Sequence, residues 1–156
     1  MEKNEPKEPI AETSSPTPAI RLVTVEVVHR VAENASKIRE ATDAARFLSE
    51  LIGDKDREHF VVLHLDATHR IIAAETVSIG TLTGALVHFR EVFKAAILNN
   101  AQAIICGHNH PSGDMTPSSE DRQVEKRLRE AGALLGIPLL DFIIVAGVKY
   151  WSIQES

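Results

Sequence analysis

Cysteine is almost absent: Cys106 is the only one in 156 residues. That excludes an intramolecular disulfide and fits a reducing, cytoplasmic setting. It also excludes a zinc deaminase site, which needs His-x-Glu together with Cys-x-x-Cys. No apolar run approaches the ~18 residues of a membrane span, and Met1–Pro6 lacks the apolar stretch of a signal peptide. No internal repeat is found. Basic residues are in deficit, 17 against 22 acidic ones, and the net charge of -5 gives no overall footprint for nucleic acid.

What is there reads as one soluble domain, with 44% hydrophobic and 25% charged residues. Pro6, Pro9, Pro16 and Pro18 among Glu, Lys, Ser and Thr predict a disordered tail over residues 1–20, leaving 21–156 as a single domain. Leu22–Val28 is β-branched and short, which predicts a strand. Ala41, Ala45, Leu48, Leu51 and Ile52 recur at helical spacing, and Gly53-Asp54 stops that helix. Glu58 to Asp66 predicts a strand, turning through Asp66–His69 into a second strand from Arg70 as a hairpin. Ser78-Ile79-Gly80-Thr81 and Gly84 mark a loop.

From about His88 a helix is expected, with Phe89, Val92, Phe93, Ala96 and Ile97 as its apolar stripe. Ala103–Cys106 predicts a short buried strand in which Cys106 is a small core hydrophobe. A helix from Ser118 or Ser119 to Leu135 would bury Val124, Leu128, Ala131 and Leu135, and Gly136 and Pro138 end it. Leu139–Val145 and Tyr150–Ile153 predict further strands. The sum is an α/β or α+β sandwich, a mixed sheet flanked by about three helices. His59, His64 and His69 read as surface or core histidines, and Arg122, Lys126, Arg127 and Arg129 as a solvated helix face.

One stretch organises the chain. Gly107-His108-Asn109-His110-Pro111-Ser112-Gly113-Asp114 follows the buried strand, and Ser118 and Asp121 open the next helix. Two imidazoles and a carboxylate suit a borderline divalent metal and leave a coordination position for water. Each piece alone has a plainer account: Ser118 and Asp121 as a helix cap, His108 and His110 as polar loop residues. Their order within one stretch favours the metal.

The spacing His108-Asn109-His110, seven residues, Ser118, two residues, Asp121 resembles the JAMM motif of JAB/MPN metalloproteases. The string His-Asn-His-Pro-Ser-Gly-Asp resembles the bacterial RadC subfamily. Ser78–Leu82, Arg90–Phe93 and Leu140–Val145 are further matches, so the likeness runs from about residue 22 to the end. The resemblance implies a JAB/MPN (cytidine-deaminase-like) sandwich and a zinc ion (Zn2+) held by His108, His110 and Asp121. It also implies that Ser118 helps stabilise the oxyanion and that Glu58 is the general base. Glu75, in the partner strand, competes with Glu58 for that role. The implied reaction is hydrolysis of a peptide or isopeptide bond by a metal-activated water.

The sequence departs from the family pattern at Phe89, where relatives usually carry Pro, and at Phe142, where they usually carry His. Neither is a ligand, but a hydrogen bond behind one is at stake. Two other classes stay open: a RadC-type DNA-repair or mobile-element accessory protein, and an interaction module keeping a structural zinc. A peptide or protein substrate is the expected partner. Net charge gives nucleic acid little support, nothing points to a membrane, and no pattern specifies an oligomer.

Overall fold

The computed structural model of the chain describes residues 36–80 and 87–155. The tail expected at 1–20, the strand expected at Leu22–Val28, and Thr81 and Gly84 of the expected loop lie outside the described residues.

Helix α1 (Ala41–Ile52) buries Ala44, Leu48 and Ile52, a four-residue spacing that lines one face. Strands β1 (His59–Leu65) and β2 (Ile71–Ile79) pair antiparallel as the expected hairpin. Asp66 builds their turn: its Oδ1 accepts the amide N–H groups of Thr68 and Arg70 at 2.8 and 2.9 Å. Helix α2 (Phe89–Leu98) and strand β3 (Ala103–Asn109) follow, then α3 (Ser119–Leu135), β4 (Leu139–Ala146) and β5 (Lys149–Ser152).

Among the described residues the strands form one mixed sheet in the order β2-β1-β3-β4-β5, in which only β3 and β4 run parallel, with α3 as their crossover. This is an α+β fold. On one face α1 packs Leu48 and Ile52 against Val61, Leu63, Ile105 and Ile143. On the other, Val92 and Phe93 of α2 and Leu128 of α3 pack against Phe60, Val62, Cys106 and Phe142. Strand alternation therefore sends His108 to the α2/α3 face with Cys106, and Asn109 to the α1 face with Ile105. Gly107 lies directly under Leu48, and a Cβ there would overlap Leu48 Cδ1.

Some boundaries and faces differ from expectation. β2 continues through Ser78 and Ile79, where a loop was expected, because Phe60 and His59 of β1 still pair with them. β3 runs three residues beyond Cys106, since Gly107 and His108 remain paired with β1 on one side and all three with β4 on the other. His108 is thus inside the strand and His110 one residue past its end. Ile97 and Leu135, expected on buried stripes, are 53% and 47% exposed. Both lie at the last turn of their helices. Of the expected α3 stripe, Leu128 is buried and Val124 and Ala131 pack part-buried against the core, while Asp121, Glu125 and Gly132 also turn inward, Gly132 letting the backbone approach Ile137.

Cys106 is a buried core residue, as expected, and burial raises its thiol well above the ordinary range. His64 is a core histidine beneath the C-terminal end of α2, its Nδ1 accepting from Asn99 Nδ2 at 3.0 Å. Burial pushes its pKa down to about 4, so it is neutral. Among the described residues no helix is long and apolar enough to cross a membrane.

Candidate metal centre

Three local devices bring the site together. His108 is carried by β3, wholly buried, with Phe60 stacked at 6.2 Å and Phe142 edge-on at 5.5 Å between ring centroids. His110 is fixed just past the strand by its backbone: its N–H donates to the Val145 carbonyl of β4 at 2.9 Å. A loop then turns on Gly113, whose φ of +84° few other residues adopt. The loop delivers the Asp114 carbonyl to His110 Nδ1 at 2.6 Å. A carbonyl only accepts, so Nδ1 carries the proton and the Nε2 lone pair of His110 faces the site.

Asp121 comes from the first turn of α3. Ser118 and Asp121 form a full capping box: Asp121 Oδ2 accepts from the Ser118 amide at 2.8 Å and from its hydroxyl at 2.7 Å. The helix cap therefore fixes one carboxylate oxygen. The other, Oδ1, is buried without a hydrogen-bond partner and lies 3.1 Å from His108 Nε2. Burial by itself would raise the Asp121 carboxyl. The neighbouring His108 and the two Ser118 donors outweigh it and hold the pKa at about 2.

His108 Nε2 is 2.9 Å from His110 Nε2, and His110 Nε2 is 3.7 Å from Asp121 Oδ2. Among the described residues these three side chains form the group able to hold a metal ion. Tetrahedral zinc with bonds of about 2.0–2.1 Å sets neighbouring donor atoms about 3.4 Å apart, somewhat wider than the 2.9 Å between the two Nε2 atoms and the 3.1 Å from His108 Nε2 to Asp121 Oδ1. Two imidazoles and a carboxylate gathered this closely could hold a cation, and the donor set fits a divalent metal. The His110 side chain keeps 13% of its surface, which opens the cluster to solvent on that side.

The described structure brings together His108, His110, Asp121 and Ser118. The Ser118 hydroxyl, linked by the resemblance to the oxyanion, is here donated to Asp121. Glu58 immediately precedes β1, and its carbonyl still accepts from Gly80 at 2.8 Å, so its backbone remains in the ladder with the end of β2. Glu58 lies two residues before Phe60, the β1 residue paired with His108. Glu75 lies instead in the row Glu75–Val62–Cys106, below the histidines. Burial raises its carboxyl pKa, with Lys94 lowering it and Glu91 raising it further.

Two features were missed in the sequence. Asp114 acts through its carbonyl, which no side-chain pattern reveals. Asn109 reaches the opposite face, where its carboxamide bonds the backbone around Glu58. Its place between the two histidines was the only signal. Phe142 offers no hydrogen bond to His108, whose Nδ1 is buried without a partner.

A five-stranded mixed sheet between one helix and two, with a His-x-His pair at a strand end and an Asp in the next helix, defines a JAB-type domain. More narrowly, the RadC-like JAB domain matches residues 38–156, and the chain belongs to that family. It is 42% identical over 146 residues to a UPF0758 protein of Geobacillus thermodenitrificans, covering 90% of this chain and 65% of that one. A UPF0758 protein of Bacillus cereus is 46% identical over 124 residues, covering 80% and 55%. One of Chlorobium phaeovibrioides is 43% identical over 129 residues, covering 83% and 58%. The chain thus spans between about half and two thirds of the length of these curated relatives.

Proposed function

We propose that the chain is a zinc-dependent hydrolase cleaving a peptide or isopeptide bond. The observation that carries this reading is the grouping of the His108, His110 and Asp121 side chains, with the unpartnered Asp121 Oδ1 3.1 Å from His108 Nε2. Two neutral imidazoles and one carboxylate leave a zinc site with a net charge of about +1 and an open position. Bound zinc supplies Lewis acidity and an acidified water.

The chain's own residues do the rest. Glu58 takes a proton from the attacking water and hands it to the leaving amine. Ser118 orients Asp121 and, when its hydroxyl turns to a bound carbonyl, donates to the developing oxyanion. Loss of such a donor typically costs about 3 kcal/mol in the barrier. The single buried Cys106 supports a reducing cytoplasmic setting for this chemistry.

Elemental analysis of the wild type and of His108→Ala tests the metal. Cleavage of an internally quenched random-peptide pool, with and without a chelator, tests the reaction. The expected result is stoichiometric zinc in the wild type, little in the variant, and cleavage that the chelator stops. A wild type without stoichiometric metal, or cleavage indifferent to the chelator, overturns the reading.

A further inference from the structure

The residue between the two histidines has no part in the metal cluster, yet it is 1% exposed and polar. A buried carboxamide with unmet hydrogen bonds costs about 1–3 kcal/mol, so its partners need an account. Asn109 Oδ1 accepts from the His59 amide at 2.7 Å. Its Nδ2 donates to the Arg57 carbonyl at 2.9 Å and to the Lys55 carbonyl at 3.3 Å. The amide orientation is fixed, because the reverse would set its oxygen against two carbonyls. The Arg57 and His59 bonds fall on the residues immediately before and after Glu58, and the Lys55 bond three residues before it.

We infer that Asn109 is a positioning residue for Glu58, clamping the backbone on both sides of it to the strand that carries the histidines. The inference rests on the reading of Glu58 as general base. Residues Asp54–Arg57 form an exposed, charged turn with no apolar side chain to dock. Backbone hydrogen bonds therefore fix the approach to β1: the Glu58 carbonyl accepts from Gly80, just past β2, and Asn109 holds the residues on either side. Strand alternation makes this economical: His108 faces the metal point while Asn109, one residue on, faces the turn. The separation between base and metal is then set by β3 itself rather than through the packed core.

The test uses the full zinc-loaded chain as wild type, Asn109→Ala, Glu58→Gln and the double variant. Zinc per chain, exchange of the His59 amide proton, and kcat and KM on the quenched peptide pool are read together. Asn109→Ala is expected to keep its zinc and exchange the His59 amide about ten-fold faster, as loss of one hydrogen bond implies. Its kcat should fall by about 100-fold, as for a catalytic group displaced by an ångström, with KM little changed. On the Glu58→Gln background it should cost nothing further. Loss of zinc, unchanged His59 exchange, or an undiminished penalty without Glu58 overturns the inference.

Asn109→Asp covers the case in which the alanine variant does not fold. It keeps the acceptor for His59 but cannot donate to Arg57, and the same kcat loss is expected; a wild-type kcat overturns the clamp. A wild type that cleaves nothing refutes the hydrolase reading instead. Zinc content and His59 exchange then decide on the clamp by themselves.

Discussion

The Ser118 hydroxyl donates to Asp121 Oδ2 at 2.7 Å while the Asp121 amide donates back to Ser118 Oγ at 3.1 Å. The same pair that starts α3 thereby aims the remaining carboxylate oxygen at His108. Ser118→Ala should weaken zinc binding by about 10- to 100-fold, the usual cost of losing a group that orients a ligand. It should also lose about 1 kcal/mol of stability from the cap. Competitive chelator titration and denaturant unfolding measure the two effects, and Ser118→Thr should recover most of both. An unchanged zinc affinity in the alanine variant would show that the carboxylate is oriented by other means.

Phe142 lies edge-on to His108, whose Nδ1 has no partner. Phe142→His puts a ring nitrogen in reach of that atom and should tighten zinc binding by about ten-fold or more. The zinc dissociation constants of the two proteins decide it.

Gly107 accepts no side chain, because a Cβ would strike Leu48 and come within 3.1 Å of the Ile143 carbonyl. Gly107→Ala should destabilise the fold by about 1–3 kcal/mol through overpacking. Leu48→Ala in the same chain should recover part of the loss. Urea unfolding of the single and double variants gives the coupling, and strict additivity would contradict the contact.

His64 has a folded pKa of about 4 against the ordinary 6.5. The unfolded chain binds this proton more readily, so stability is full above pH 6.5 and is lost as the pH falls toward 4. The total is about 3 kcal/mol, at 1.36 kcal/mol per pKa unit. Unfolding free energies of the wild type and His64→Leu between pH 7 and 4 test it: the variant should lack this acid-side slope.

The punctuation of the chain made much of this readable. Gly53, Ser118 and Gly136 mark helix ends, and the observed α1 and α3 begin or end beside them. The metal-directed trio was legible because its three members lie in one contiguous stretch. The continuation of β3 was not, since Gly-His-Asn is a poor strand sequence held by ladders on both sides. Once that strand is extended, its alternation explains why His108 and Asn109 serve opposite faces. The Asn109 clamp joins residues far apart in sequence, and the Asp114 contact uses a carbonyl, so neither leaves a local signature.

The parallel pair β3–β4 with its α3 crossover has one more consequence, for the order in which the molecule assembles. All three metal-directed residues belong to β3, the loop after it and the first turn of α3, whereas Glu58 enters from the β1–β2 hairpin. Local contacts close early in folding and distant ones late. A chain emerging from synthesis makes the hairpin first, but docking it requires β3, and His110 is fixed only once β4 supplies the Val145 carbonyl. The site therefore completes late, once β1, β3 and β4 are all paired, and the histidines and Glu58 reach their final places together.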